Sequence, residues 1–387
     1  IEQEKNQPVQ LALRNLPPLI YGDDHAYGIP FTGSGTEESI TSLNRDDLVQ
    51  WHQTWIRPSN GTLFVVGDTT MEEILPLLND RFGKWKENRM AVPQKNLAEV
   101  TPPETGTVYI IDKPGAPQSL ILAGHVAPPT GIENNIEINT MNDVIGGSFT
   151  ARVNMNLRED KGWAYGAYTF MPDAKGQRPL MVYAPVQTDK TTDSIGELMR
   201  EFDEFLGTKP ATQDELNKSV RNSVNSLPGQ FETAGAVMGA LLANDRFGRS
   251  DDYVSTLKGR YEAVNLEGIQ GAAETVMKPA SLNWLIVGDR EQIEAGVREM
   301  GIGEVRIMDV DGNIVEKTPS SMTKKGPADA GLFFVGIRHD GEWIIDRPHG
   351  GLLQTPYRPH GGLLQTPYRP YGELLQTPYR PYGGLLQ

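Results

Sequence analysis

The chain has 387 residues, 38% of them hydrophobic, and a formal net charge of −14. That length and apolar content suffice for two domains with sizeable cores, and the acidic balance, with no stripe of Lys and Arg, argues against nucleic acid as a partner because phosphate binding needs clustered cations. The absence of cysteine excludes disulfides, thiolate catalysis and Cys-ligated metals, and the longest apolar runs, such as 331–337, fall far short of the ~20 residues a membrane helix needs.

In chain order, residues 1–90 predict a Gly-rich loop at Gly33-Ser34-Gly35-Thr36, a helix from Asn44 with Leu48, Trp51 and Trp55 on one face, a strand over 63–66 and a helix to Phe82. Residues 91–104 read as a linker. Strands follow near 107–112 and 118–125, helices near 133–145 and 148–160, and strands near 163–170 and 179–187. A helix from Asp193 carries Ile195, Leu198, Met199, Phe202 and Phe205, and the next opens with the capping box Thr212-Gln213-Asp214-Glu215. A strand over 283–287 and a helix ending near Gly301 bring the domain to its close near Lys317. Hairpin-spaced strands beside grouped helices predict an α+β fold, an antiparallel sheet covered by helices on one face. Within a short extension, 318–347, residues 332–345 read as a hairpin turning at Asp340-Gly341. In 348–387, GGLLQTPYRPH recurs from Gly350 with a period of eleven residues. Its two prolines per period forbid a helix and predict polyproline-like disorder, either as an expanded repeat or as a ligand for a proline-binding module.

The stretch 42–68, SLNRDDLVQWHQTWIRPSNGTLFVVGD, returns without a gap at 263–289 as AVNLEGIQGAAETVMKPASLNWLIVGD, a constant offset of 221 residues. Identities fall where shape demands them: Asn44 and Asn265 as helix N-caps, Pro58 and Pro279 as helix stops, Gly67-Asp68 and Gly288-Asp289 closing a buried strand. A repeat this long marks two homologous domains, because solenoid periods run only to about 50 residues. The second copy begins near Thr105, so the offset places the start of the first roughly 115 residues upstream of Ile1. Residues 1–90 are then the C-terminal part of a truncated first domain, and 105–317 a complete second one.

Chemistry concentrates in 146–168, GGSFTARVNMNLREDKGWAYGAY. Ser148 is placed to cap a helix whose Phe149, Val153 and Leu157 recur at a spacing of four and face the core, with Gly162 at a left-handed stop. Arg158 falls in the last turn of that helix and Tyr165 early on the next strand, where a guanidinium and a phenol can converge as donors to a developing oxyanion. Both residues also have an ordinary explanation, since the helix dipole favours Arg near a C-terminus and aromatic residues pack on strands. The six histidines, His25, His52, His125, His339, His349 and His360, include no HxxEH and no pair spaced for zinc. Asp23-Asp24-His25 reads as a solvated loop. Gly33-Ser34-Gly35 lacks a P-loop lysine and Gly146-Gly147-Ser148 lacks the GxGxxG spacing, so both read as structural glycines and no nucleotide is expected.

The run LREDKGWAYGAY, with GGSF before it and Gln187-Thr188-Asp189-Lys190 after it, resembles the second domain of the pitrilysin/insulinase family of zinc metallopeptidases. The segment from His25, HAYGIPFTGSGTEESITSLNRDDLVQWHQTWIRPSNGTLFVVGD, is similar to the close of that family's zinc-bearing domain type, and the resemblance spans about residues 10–312. It implies paired homologous α+β domains forming half of a clamshell around a chamber for peptides. It implies a zinc held by HxxEH and a distant Glu, outside this segment, on a missing N-terminal half or a zinc-bearing partner chain; Glu2 and Glu4 are not assigned that role. Arg158 and Tyr165 match the pair that hydrogen-bonds the scissile carbonyl, so the chain is expected to be part of a zinc endopeptidase with peptides as substrates, inactive and zinc-free by itself. The alternative is a zinc-less half or subunit that completes the chamber or binds peptide. The resemblance also points to an extracytoplasmic, periplasmic setting.

Overall fold

A computed structural model describes residues 1–88 and 90–316; the expected hairpin over 332–345 and the eleven-residue repeats lie outside them. The N-terminal helices are α1 (Glu2–Asn6), α2 (Pro8–Tyr21), α3 (Glu37–Ser42), α4 (Arg45–Trp55) and α5 (Met71–Phe82). Then come β1 (Thr107–Asp112), β2 (Gln118–Ala127), α6 (Asn135–Asn142), the short α7 (Arg152–Asn154), β3 (Tyr168–Phe170), β4 (Arg178–Gln187) and α8 (Thr191–Leu206). The chain continues through α9 (Gln213–Ser226), α10 (Ala234–Phe247), α11 (Tyr253–Ala263), α12 (Leu266–Val276), β5 (Asn283–Gly288), α13 (Arg290–Glu299), β6 (Glu304–Met308) and β7 (Ile314–Glu316). No helix among the described residues is long and apolar enough to cross a membrane.

The centre of the fold is β5. Its run Trp284-Leu285-Ile286-Val287 is apolar at every position, the pattern of a strand covered on both faces, and every residue of the strand is buried. It pairs parallel with β1, Ile110 opposite Ile286, and antiparallel with β2, Leu122 opposite Leu285. Successive side chains leave opposite faces. Trp284 and Ile286 join Val108, Ile110 and Ile121 in a core under the helical layer. Leu285 and Val287 join Tyr109, Ile111, Leu120 and Leu122 against Leu11, Leu16 and Ile20 of α2.

The fold is α+β, as the grouped strands and helices imply, with two departures from the expected sheet. The order β3-β4-β2-β5-β1-β6-β7 is mixed, because β1 runs parallel to both β5 and β6. Helix α13 carries the chain back to the starting end of the sheet, so β6 must run parallel to β5; this crossover leaves no hairpin spacing in the sequence. The sheet is also covered on both faces. Helix α2, far upstream of the sheet in sequence, closes its back, with Asn283 Nδ2 donating to the Leu19 carbonyl at 3.0 Å and the Tyr21 hydroxyl donating to the Gln177 carbonyl at 3.0 Å.

The duplicated segments share their local signals. Asn44 Oδ1 accepts from the N–H groups of Asp46 and Asp47 at 2.8 and 3.3 Å, and Asn265 Oδ1 from that of Gly268 at 2.8 Å, each capping its helix. Pro58 and Pro279 each open a single 3-10 turn beyond the helix end. Past that point the copies diverge. Residues 63–66 do not form the expected strand. Leu63 is 58% exposed where Trp284 is 1%, and Leu48 is 62% exposed where Ile269 is 0%. The cause is a missing neighbour: β5 is sandwiched by β1 and β2, whereas no described strand precedes Thr107, and an unpaired extended segment has nowhere to direct its backbone hydrogen bonds.

This difference is measurable. Trp284→Ala is expected to cost about 3–5 kcal/mol, the range for emptying a buried aromatic site, whereas Leu63→Ala should stay within about 0.5 kcal/mol as an exposed substitution. Urea unfolding of the two variants checks it; equal losses would contradict the assignment of β5 as the central strand.

Candidate functional site

The site lies at the edge of the sheet opposite β7, where the chain leaves α6, crosses under β3 and returns along β4. Asn142 holds β3 through its side-chain amide: Nδ2 donates to the Thr169 carbonyl at 3.2 Å and Oδ1 accepts from the Thr169 hydroxyl at 2.8 Å. Gly146 lets the backbone approach that strand, since a Cβ there would sit 2.3 Å from Thr169 Oγ1. Close packing, with no phosphate to cradle, accounts for this glycine.

The expected helix over 148–160 is built differently. Ser148 is not its cap: the hydroxyl donates back to the Asp143 carbonyl at 3.0 Å and so closes the preceding turn. Helical backbone resumes only at Arg152 and widens into a π-helical turn over Met155–Asp160, a form that recurs at functional sites. Val153 and Leu157 face the core as expected, but Phe149 is 54% exposed because residues 148–151 precede the helix and do not follow its periodicity. Gly162 takes the left-handed conformation at φ 67° and ends the turn. Three bonds seal it: the Lys161 N–H to the Asn156 carbonyl at 3.0 Å, and those of Trp163 and Ala164 to the Leu157 carbonyl at 2.9 and 3.3 Å.

The expected strand over 163–170 is broken. Ala164 makes an isolated antiparallel bridge to Val186, and regular pairing resumes only at Tyr168. Tyr165 sits in this break, 78% exposed. The segment is clasped from the far side by Gln187, whose backbone N–H donates to the Trp163 carbonyl at 3.0 Å and whose side chain donates to the Gly162 carbonyl at 3.2 Å. Lys161 and Lys190 place their ammonium groups 5.3 and 5.8 Å from the centre of the Trp163 ring.

Arg158 and Tyr165 are brought together. The guanidinium carbon lies 5.1 Å from the centroid of the Tyr165 ring and 4.6 Å from that of Phe149, so the cation rests against two exposed rings. Nε pairs with the Glu159 carboxylate at 3.0 Å. A guanidinium paired at Nε and resting against two rings presents its terminal N–H groups as a fork, and an adjacent exposed phenol adds a further donor, a combination suited to a carbonyl or oxyanion. Phe149 was not legible as a site residue, because its spacing to Val153 and Leu157 mimics a core face.

The other candidates have structural roles. His25 is buried, stacks on Tyr21 with ring centres 4.9 Å apart and accepts the Tyr27 N–H on Nδ1 at 3.0 Å. Glu4 takes the Ser34 hydroxyl and pairs with Arg14 at 2.7 Å, while Arg14 donates to the Gly35 carbonyl at 3.0 Å, so the Gly33-Ser34-Gly35 loop is tied to α1 and α2. The Ser34 hydrogen bond, with Arg14 beside it, holds the Glu4 carboxyl below its ordinary value. His125 is buried; its Nδ1 lies 2.8 Å from the Val126 carbonyl and its Nε2 accepts the Lys278 N–H at 3.2 Å, an arrangement only the neutral ring satisfies. Glu2 pairs with Lys5, His52 lies exposed on α4, and His339, His349 and His360 fall outside the described residues. No three His, Asp or Glu among the described residues converge as a metal site, so these residues do not fit the zinc of the expected chemistry.

An α+β domain built on a buried mixed sheet is a class of structure shared with known proteins. Residues 42–223 match the family model described as the peptidase M16 inactive domain. Through this stretch, 182 of its 387 residues, the chain is similar to the inactive-type domain of the pitrilysin/insulinase (M16) family. It is 24% identical over 273 residues to the "Uncharacterized zinc protease YmxG" of Bacillus subtilis, and 22% identical over 265 residues to the "Non-peptidase homolog YmxG" of Helicobacter pylori. These matches cover 70% and 67% of this chain but only 64% and 59% of the relatives, so the chain spans less than two thirds of their length. The fold is shared with the crystal structure of a peptidase M16 inactive domain from Pseudomonas fluorescens (TM-score 0.67, 18% identity, covering 74% of this chain and 67% of that one). It is shared too with the first half of the periplasmic protease PqqL from Escherichia coli (TM-score 0.58, 16% identity, 77% and 65% covered).

Two measurements follow. Burial pushes the His125 ring down to about 4 from its ordinary 6.5, so the folded protein refuses a proton that the unfolded chain accepts. Stability should therefore fall as the pH drops from 6.5 towards 4, by about 1.4 kcal/mol per pH unit from this group, and His125→Gln should flatten that stretch of the profile. Elemental analysis of the purified chain should find zinc well below one equivalent; a full equivalent would place metal ligands in this chain.

Proposed function

We propose that Arg158 and Tyr165 are the carbonyl-binding pair of an M16-type endopeptidase chamber, and that this chain supplies them to a zinc-bearing half outside its described residues. The observation that carries the reading is their convergence: two donor side chains, seven residues apart, meet on an exposed face with the guanidinium braced by Phe149, Tyr165 and Glu159. Buried arginines of structural type behave differently here. Arg178 is wholly buried and donates to the Pro128 carbonyl and to Asn135. The substrate class is an extended peptide, whose scissile carbonyl would accept from the guanidinium and the phenol as negative charge develops on its oxygen. When bound by that other half, zinc would supply Lewis-acid activation. On this reading residues 1–90 close a first domain, 91–104 link it to the second over 105–317, and the uncovered apolar face of Leu48, Trp51 and Leu63 is where the remainder of the first domain, or a partner chain, completes the sheet. The periplasmic setting remains the expected compartment.

A second reading, a chamber-completing half without a catalytic role, is favoured by the match to the inactive domain and by the non-peptidase relative. The two separate in kinetics of the full-length protein or of the complex with its zinc-bearing half. Removing one oxyanion donor typically costs about two to three orders of magnitude in kcat. Tyr165→Phe and Arg158→Lys are each expected to lower kcat for a fluorogenic peptide on that scale with KM much less affected. Unchanged turnover in both variants favours the scaffold reading.

A further inference from the structure

We propose that Asn154 is a positioning residue that sets the aromatic slot around Arg158; the proposal rests on the reading of Arg158 as the substrate-facing donor. Asn154 lies on α7, one turn before Arg158, and is completely buried. Its Nδ2 donates to the Phe149 carbonyl at 2.6 Å, and its Oδ1 accepts from the Ala167 N–H at 3.0 Å. These contacts reach the two walls of the slot separately. Phe149 supplies one ring to the guanidinium, and Ala167 stands two residues beyond Tyr165, which supplies the other.

Neither ring is held in place by burial. Phe149 and Tyr165 are both exposed, so core packing does not fix their separation. What fixes it is backbone position on each side, and one amide is bonded to both backbones. The geometry requires a donor and an acceptor on the same short side chain. Asp offers no donor to the Phe149 carbonyl, Ser cannot span both contacts, and Gln is longer by a methylene. Val153 and Leu157, the apolar neighbours on the same turns, already provide the core contacts of this segment. A buried polar residue flanked by them is costly unless both its hydrogen bonds are made, which ties Phe149 and the strand after Tyr165 to one distance.

The test is made on the chain itself and involves no substrate. With arginine isotopically labelled and the Arg158 signals assigned by their disappearance in Arg158→Lys, two flanking rings should displace its δ-methylene and Nε–H resonances upfield. Phe149→Leu should remove part of that displacement. Asn154→Asp should abolish most of it, and Asn154→Ser is read the same way if the Asp variant does not fold. Thr140→Val is the control for general weakening: it removes another buried hydrogen bond, from the Thr140 hydroxyl to the Ile136 carbonyl at 2.8 Å, and should lower Tm without moving Arg158. The proposal is overturned if Arg158 is unmoved in a folded Asn154 variant, or moves as far in Thr140→Val. Unchanged peptide turnover in Arg158→Lys would sink the functional reading alone, because the ring shifts report the slot and not the reaction.

Discussion

A β-strand needs at least one paired edge and one covered face, and most of this molecule follows from where that condition is met. β5 meets it completely, with β1 and β2 on its edges, helices on one face and α2 on the other. The same sequence pattern at 62–66 meets none of it, and the backbone there stays irregular although Phe64, Val65 and Val66 have strong strand propensity. Propensity proposes a strand, but partners decide it. The helices of the repeat, by contrast, form in both copies because their hydrogen bonds and caps are internal to the segment.

The Arg158 segment hangs from this framework largely through bonds to its backbone. Leu157 is buried in the core and its carbonyl receives the returning chain; Gln187, at the end of β4, clasps the loop from the other side; Ala164 adds a single bridge. Between these anchors the Tyr165 side chain stands in solvent and that of Arg158 is partly exposed. Rigid backbone with exposed functional groups is the arrangement a binding site needs, because ordering costs are met by the fold and not by the ligand.

The reach of the sequence was uneven for identifiable reasons. The caps at Asn44, Thr212 and Asn265, the left-handed Gly162 and the buried faces of α8 and β5 are local patterns, and they were legible. The convergence of Arg158 with Tyr165 across the turn was open to the sequence beside an ordinary packing role for each, and resemblance is what singled it out. The parallel crossover through α13, the placement of α2 behind the sheet and the exposure of Phe149 were not legible. Each depends on contacts between residues far apart in the chain. Asn154 was hidden for the opposite reason: among Val153 and Leu157 it looks like a break in an apolar stripe, when it is the point where the stripe is fastened to its surroundings.

The widened turn over Met155–Asp160 has an evolutionary corollary. Surface loops ordinarily absorb insertions and deletions, and 158–163 is solvent-facing enough to look like one. Yet its ends are pinned to the Leu157 carbonyl and to the Val186 bridge, and a π-helical turn already contains the one additional residue that the span requires. Losing a residue would tighten the turn to α-helical pitch and rotate Arg158 out of line with both rings, while gaining one would push Ala164 past its bridge. Drift in this segment should therefore run through substitution alone, with length held fixed in a stretch whose exposure would otherwise let it vary.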